Sequence, residues 1–545
     1  MRDEIKAVIQ KSLRSIGAAD VEFTLERPGE FSHGDYATNA ALVAAKILKK
    51  NPKEIAESLK KESEGKIVGV SKVEVAGAGF LNFFLSHETV AEEIKKAATD
   101  DSWGENDLYA DKKVMVEYTD PNPFKEFHIG HLMSNTIGES IARLFESAGA
   151  EVSRANYQGD VGVHVAKAIW GKQQKPEYSW GEAYVYGSEQ YELHKEEIDV
   201  LNKTIYEKTD SRVNALYDVG RAESLEHFEE LYKLLGTKFD FYFFESEVGQ
   251  IGLGIVKKHP DIFEESEGAI VFKGENHGLH TRVFINSKGL PTYEAKELGL
   301  VEAKKEKGDF DISLTVTANE IREYFKVVRK AAELVFPDLE GKMLARFHGF
   351  LKLTTGKMSS RKGNVITGES LLLDLQKDAR EKVGGRELQH AQKVAEQVAV
   401  GAIKYAVLKQ GSGRDIIFDP EKSLSLEGDS GPYLQYARVR ALSVLRKVTP
   451  TSVVDTLPQK DQWMNLARVL VHYPEVVERA AQELEPHYVT TYLTELAAAF
   501  NSLYGAEQFI VEGKILGMYL TLLQAFERTM VSGLHILGIP APEEM

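Results

Sequence analysis

The sequence runs to 545 residues, room for about three to five domains at roughly 100–200 residues each. Its 43% hydrophobic and 28% charged composition is that of a globular protein with a substantial core. Cysteine is absent, which excludes disulfides, thiolate nucleophiles and Cys-ligated zinc or iron–sulfur centres. The net charge of −16 argues against diffuse nucleic-acid binding. Charge is nevertheless segregated: Lys342, Arg346, Lys352, Lys357, Arg361 and Lys362 are unopposed within 341–368, as are Arg438, Arg440, Arg446 and Lys447 within 431–450. No apolar run approaches the ~20 residues of a membrane span, and the first residues lack a signal-peptide pattern, so the chain reads as cytoplasmic.

In chain order, Ile5, Val8, Ile9, Leu13 and Ile16 predict an amphipathic helix. A second helix is expected from Asp35 through the Ala-rich stretch to Lys50, and alternation in 72–86 predicts strands. Residues 1–88 thus read as a small α+β unit, with 89–110 a charged helical connector. Lys113–Tyr118 is a β-branched run that stops at Pro121-Asn122-Pro123 and is followed by a helix with Leu132, Ile137, Ile141 and Leu144 on one stripe. Strand, turn and helix in that order open a parallel α/β domain, assigned to 111–340. An insertion is placed at about 171–280; its first part, 171–215, is polar and weakly patterned. Strands are predicted at 268–272 and 281–286, and helices near 294–305 and 319–335. A loop region and helical junction fill 341–420, and the remainder to 545 reads as a helical bundle.

Two segments could carry chemistry. In His128-Ile129-Gly130-His131 the histidines share a face at a helix start, where free N–H groups and the helix dipole favour anions. Gly130 lets a flat ring or a phosphate approach the backbone. The same pair could instead be two surface histidines or two metal ligands, the latter lacking a nearby third. The second segment is Gly356-Lys357-Met358-Ser359-Ser360-Arg361-Lys362-Gly363-Asn364. It is not a P-loop, because Met358 stands where Ser or Thr is required and Leu351 where the first glycine is. A glycine-bounded loop of three cations and two hydroxyls suits a transient clamp on a polyphosphate, or is an ordinary solvated loop.

HIGH followed about 230 residues later by KMSS resembles the signature pair of class I aminoacyl-tRNA synthetases, and further segments narrow the resemblance to the arginyl family. These are Pro121–His131, Arg154–Gly162, Phe239–Ser246, Gly428–Arg440, Tyr492–Tyr504 and, near the N-terminus, His33–Asn39 with Gly79–Phe83. The resemblance implies a multidomain α/β protein: a Rossmann-type catalytic domain, an N-terminal α+β domain touching the tRNA elbow, and an all-α anticodon-binding bundle over 421–545. It implies arginine–tRNA ligase activity: arginyl-adenylate is made from L-arginine and Mg-ATP, then arginine passes to the 3′-terminal adenosine of tRNA(Arg), the 2′-hydroxyl attacking first. Magnesium would come with the ATP, no metal being held by the protein, and the chain would be a monomer.

By resemblance, His128, His131 and Lys357 would be catalytic, and Lys125, His128, Gly130, His131, Lys357, Met358 and Ser359 would bind ATP. Glu117, Asn122, Tyr293 and Glu297 would bind arginine, with Glu297 standing where the family's TYxxxD motif has Asp. A glutamine the family carries near 318–324 is not evident, and Ser360 replaces the second lysine of KMSK, leaving Arg361 or Lys362 to supply that charge. Phe80, Asn82, Tyr433, Tyr436, Arg440 and Tyr504 would touch tRNA, the tyrosines by stacking on bases, although tyrosines in a bundle more commonly pack its core. Glutaminyl, glutamyl and arginyl enzymes need tRNA for the first step, and the same is expected here. A shorter HxGH nucleotidylyltransferase, a non-catalytic relative, and a cysteinyl or glutamyl synthetase fit the sequence less well.

Overall fold

The computed structural model describes residues 1–354, 367–383, 390–454 and 462–545. The chain divides into two units: one of 104–439, 475–494 and 531–545, the other of 1–103, 440–474 and 495–530.

The larger unit is built on a parallel sheet of β1 (Lys113–Glu117), β2 (Glu151–Gln158), β3 (Phe241–Phe244), β4 (Ile312–Ala318) and β5 (Met343–His348), in the order β5-β4-β1-β2-β3. Val114, Met115 and Val116 are all buried, as expected of a strand covered on both faces. Register places Leu314 beside Val116 and Thr315 beside Glu117, with Ala155 on Glu117's other side. The chain steps outward from β1 to β3, then returns to β4 on the opposite flank. The β1/β4 seam is therefore the topological switch point, where a doubly wound sheet opens a crevice at its carboxyl edge. Helix α1 (Ile129–Ser147) packs over β1, β2 and β4, and its stripe of Leu132, Ile141 and Leu144 is fully buried.

The weakly patterned stretch proves to be helical. Trp180–Glu189, α2 (Lys195–Glu207) and Ser211–Leu235 pack around Phe124, Ile169, Trp170, Trp180 and Ile198. Ser179 and Glu182 exchange capping hydrogen bonds, and Asp210 caps the third helix through the amides of Arg212 and Val213. A small antiparallel sheet of 264–266, 269–272 and 282–285 follows, then α3 (Tyr293–Lys307) beside the sheet and α4 (Gly368–Val383).

In the smaller unit, an antiparallel sheet orders 25–26, 36–38, 80–85 and 70–76. The helix expected from Asp35 begins only at Ala40, and Tyr36–Thr38 is a strand instead. The cause is long-range. Buried Asp35 accepts the Leu85 amide at 2.8 Å and pairs with Arg468 Nε at 3.2 Å, while its own amide reaches Phe83 O. Gly34 sits at φ +90°, and a Cβ there would lie 2.6 Å from Phe83 O. Helix 487–506 carries residues into this unit, and a short three-stranded sheet of 453–454, 514–516 and 510–511 joins the helices.

Gly34→Ala should cost about 1–3 kcal/mol through the left-handed backbone and the carbonyl clash. The first transition in a circular-dichroism melt of the full chain should fall accordingly.

Candidate active site at the carboxyl ends of β1 and β4

Past Glu117 the chain enters a segment held by side chains rather than by regular structure. Thr119 (φ 80°), Asp120 (φ 47°) and Phe124 (φ 69°) all take left-handed backbone conformations, uncommon for residues with a Cβ and concentrated at functional sites. Each is tied down. Ser134 Oγ accepts the Thr119 amide at 3.0 Å, Asp120 Oδ1 accepts the Tyr157 amide at 2.8 Å, and Ser224 Oγ accepts the Phe124 amide at 3.0 Å. Below them, Tyr118 donates to Glu139, whose carboxylate pairs with Arg143 and Arg154. Burial alone would raise Glu139, but the two guanidiniums bring it down to about 2.

The segment delivers His128 to the N-cap of α1. The His131 amide donates to His128 Nδ1 at 3.3 Å and the His128 amide donates to His131 Nδ1 at 3.2 Å, a reciprocal cap in which imidazoles replace the usual hydroxyl and carboxylate. The rings stack 3.4 Å apart, 21° from parallel. Because both Nδ1 atoms accept, each ring is neutral with its proton on Nε2, and both Nε2–H groups remain as donors. Burial first, then the Lys125 charge, holds His128 below its ordinary pKa; burial and His128 push His131 well below it. Gly130 is required locally, because a Cβ would sit 2.9 Å from His128 Cε1. Within the apoprotein, the flat ring lying over this glycine is His128 itself.

Several neighbours were not picked out by sequence reasoning. Buried His348, at the end of β5, faces Gly349 O at 2.8 Å and acts electrostatically on His128. His164 contacts Gly159 O at 2.8 Å, and burial lowers it to about 4. Lys125, which the sequence did single out as an ATP ligand, stands over the Tyr184 ring at 4.9 Å. Asp160 is fully buried and accepts from Ser246, Tyr217 and Arg221.

Lys357, Met358 and Ser359, with Arg361 and Lys362, lie outside the described residues. The residues that follow them are pinned to the histidine segment: Thr367 bridges His128, and the Gly368 amide donates to Phe127 O at 2.7 Å.

Beside the histidines lies a cluster of acidic side chains. Glu117 is buried and paired with Lys304 Nζ at 2.6 Å, and Glu245 is paired with Lys296 Nζ at 2.6 Å. Glu297, on α3, forms no ion pair among the described residues, and burial followed by repulsion from Glu117 raises it to about 8. Asp120 is raised by the same two causes. Asn122 Oδ1 presses against Gly159, where a Cβ would be 2.3 Å away and the Glu245 carboxylate 3.3 Å away. Tyr293 is two-thirds exposed (66%) at the rim. Of the four residues expected to bind arginine, Glu117 and Glu297 act on each other electrostatically, and Glu117 is already held by an internal cation.

Of the residues expected to touch tRNA, Phe80 is exposed, whereas Asn82 is buried in its strand between Ala37 and Glu74. Tyr433 and Tyr436 are half-buried on helix 431–445. Arg440 donates to Asn501 at 2.9 Å and lies 4.8 Å over the Tyr504 ring.

Residues 93–420 match the family model for the class I tRNA synthetase (R) catalytic domain. The chain belongs to the arginyl-tRNA synthetases. Residues 3–85 match the arginyl tRNA synthetase N-terminal domain and 434–545 the DALR anticodon-binding domain. It is 30% identical over 566 residues to an arginine–tRNA ligase of Clostridioides difficile, covering 99% of each chain. To that of Limosilactobacillus reuteri it is 31% identical over the full length of both. The Thermus thermophilus arginyl-tRNA synthetase superposes over all of both chains with a TM-score of 0.81 at 26% identity. Class I family membership makes ATP a substrate, and no described helix is long and apolar enough to cross a membrane.

Gly130→Ala in this synthetase should push the His128 ring off its cap without destabilising the helix, since Ala is the better helix former. Arginylation should fall about 10–100-fold while the melting temperature holds or rises, a pairing that steady-state assays and thermal melts will read directly.

Proposed function

We propose that the crevice at the β1/β4 seam is where this arginyl-tRNA synthetase condenses L-arginine with Mg-ATP, releasing pyrophosphate, and then passes arginine to the 3′-terminal adenosine of tRNA(Arg). The observation that carries the reading is a pair of neutral imidazoles, each with a free Nε2–H, beside a carboxylate left without a cation. The difficult step is attack of one anion on the α-phosphorus of another, so catalysis rests on positioning and positive charge. His128 and His131 donate to the triphosphate, Lys125 adds charge beside them, and Gly130 lies under the nucleotide. Lys357 with Met358 and Ser359 closes on the departing pyrophosphate, and magnesium enters as part of the Mg-ATP substrate. Neutral donors suit this place, because they align the phosphates without trapping the pyrophosphate as a fixed charge would.

In the acidic pocket Glu297 receives the guanidinium, Asn122 and Tyr293 border the substrate, and Glu117 shapes the pocket through its pair with Lys304. A planar, five-donor cation is matched bidentately by a carboxylate. Phe80 and Asn82 serve the tRNA elbow; Tyr433, Tyr436, Arg440 and Tyr504 serve the anticodon loop. The family resemblance supports these roles, and with them a monomer acting in the cytoplasm.

Offered all twenty amino acids with total tRNA, the protein should charge arginine alone; charging of any other would overturn the reading. ATP–pyrophosphate exchange should be negligible until tRNA(Arg) is added.

Because burial and the Glu117 charge raise Glu297 to about 8, it is largely protonated at pH 7, and binding a guanidinium must drive that proton off. Arginine affinity should therefore rise as pH climbs from 7 to 9, by up to about tenfold, with proton release visible by calorimetry in buffers of different ionisation enthalpy. Glu297→Gln should weaken arginine binding by about 30–100-fold and flatten that pH slope.

A further inference from the structure

The start of α4 lies antiparallel to the histidine segment. His128 and Thr367 face each other as a bridge, and the Gly368 amide donates to Phe127 O at 2.7 Å. The backbones are in close contact, since a Cβ on Gly368 would lie 3.0 Å from His128 O. Thr367 and Ser370 cap the first turn of α4 reciprocally, amide to hydroxyl, at 3.1 and 2.9 Å. One step further along the same register, Glu126 comes opposite Glu369. Like charges across such a pair repel. Partial burial, then the charges of Glu369 and Glu182, raises the Glu126 carboxyl above its ordinary value. The seam behind His128 is therefore flanked by two carboxylates that push it apart.

A third element answers that repulsion. The helix Ser211–Leu235 runs along the seam: Ser224 takes the Phe124 amide, and the buried Phe228 ring lies 6.4 Å from that of Phe127. His227, between them in sequence, brings Nε2 to 2.9 Å from Glu369 Oε2, with Nδ1 4.0 Å from Glu230 on its own helix. The hydrogen bond to Glu369 raises His227 above its ordinary value, and the Glu369 and Glu230 charges add to it against the cost of desolvation. The groups facing this imidazole are thus Glu369 and Glu230, with Glu126 and Glu182 beyond Glu369, all of them acidic. Among the described residues His227 is the cation that meets Glu369. At 44% and 34% side-chain exposure the pair exchanges protons freely and is too wet to hold the fold by itself.

We propose that His227 is a positioning residue for ATP: in its protonated form it pairs with Glu369, offsets the repulsion from Glu126, and so holds the first turn of α4 against Phe127 and the His128 cap. The inserted helices thereby set, through one charge, how firmly the capped histidines are seated. The restraint is complete while the imidazole is protonated and is lost as pH rises through its raised pKa, where the two carboxylates go unanswered. The inference rests on His128 and His131 taking the triphosphate, and the experiment separates the two claims.

Full-length His227→Gln, which keeps an N–H donor for Glu369 and removes the charge, is compared with the parent in steady-state arginylation with tRNA(Arg). Arginine is saturating and Mg-ATP is varied at each pH from 6.5 to 8.5. At pH 6.5 the KM for ATP should stand about three- to fivefold above the parent's, with kcat within about twofold. The gap should narrow as pH rises, because the parent histidine then loses the same charge. In a Glu369→Gln background, where no repulsion remains to be answered, His227→Gln should change neither value. Equal KM values at pH 6.5, a gap that stays constant across the range, or an equal gap in the Glu369→Gln background overturns the proposal. His128→Ala is run alongside. If it leaves both kcat and the KM for ATP unmoved, the assignment of the histidines to ATP falls; if it moves either while His227→Gln moves neither, only the role of His227 falls.

Discussion

Two imidazoles can cap one helical turn for each other only while both Nδ1 atoms are bare. That single condition sets the tautomer of His128 and of His131, stacks their rings and leaves both remaining protons on Nε2. It is a constraint on the backbone as much as on the side chains, because the donors are the amides of the same two residues. Burial supports it by disfavouring the charged rings. The consequence is a surface whose polarity comes from oriented neutral dipoles. The glycine between the histidines belongs to the same device, since the capping ring occupies the space its side chain would need.

The acidic cluster around Glu117 obeys a different rule, one of charge counting. A pocket for a cation needs surplus carboxylate, yet buried surplus is unstable and tends to acquire a proton or a lysine. This chain does both. Lysines meet Glu117 and Glu245, while Asp120 and Glu297 have no ion pair among the described residues and are raised by burial and by Glu117.

Much of this was legible in the chain. Lys113–Glu117 is a strand because its β-branched run is buried on both faces, and α1 follows from the stripe of Leu132, Ile137, Ile141 and Leu144. The two motifs and the pocket residues could be named from spacing and resemblance, and the fold brings His128, Glu117, Asn122 and Glu297 to one edge of the sheet. What stayed hidden depended on contacts far apart in sequence. Asp35 reads as a helix start, yet an amide 50 residues away and Arg468 turn its neighbours into a strand. The helices of 180–235 are diluted by Glu, Lys and Tyr; the Ser179/Glu182 capping box and the Asp210 cap were the local signs of them. Lys296 and Glu297 are adjacent letters, and nothing in the letters says which one is already engaged.

The left-handed run at Thr119, Asp120 and Phe124 has a bearing on how this protein ages under heat. Each such residue holds about 1–3 kcal/mol of unfavourable backbone energy that surrounding hydrogen bonds must keep in check. Thermal loosening of those bonds should relax this segment before the sheet beneath it gives way, which activity and circular dichroism followed on one temperature ramp would show. Warmed gradually, the protein should lose its craft before it loses its shape, and cooling should restore both so long as the sheet has held.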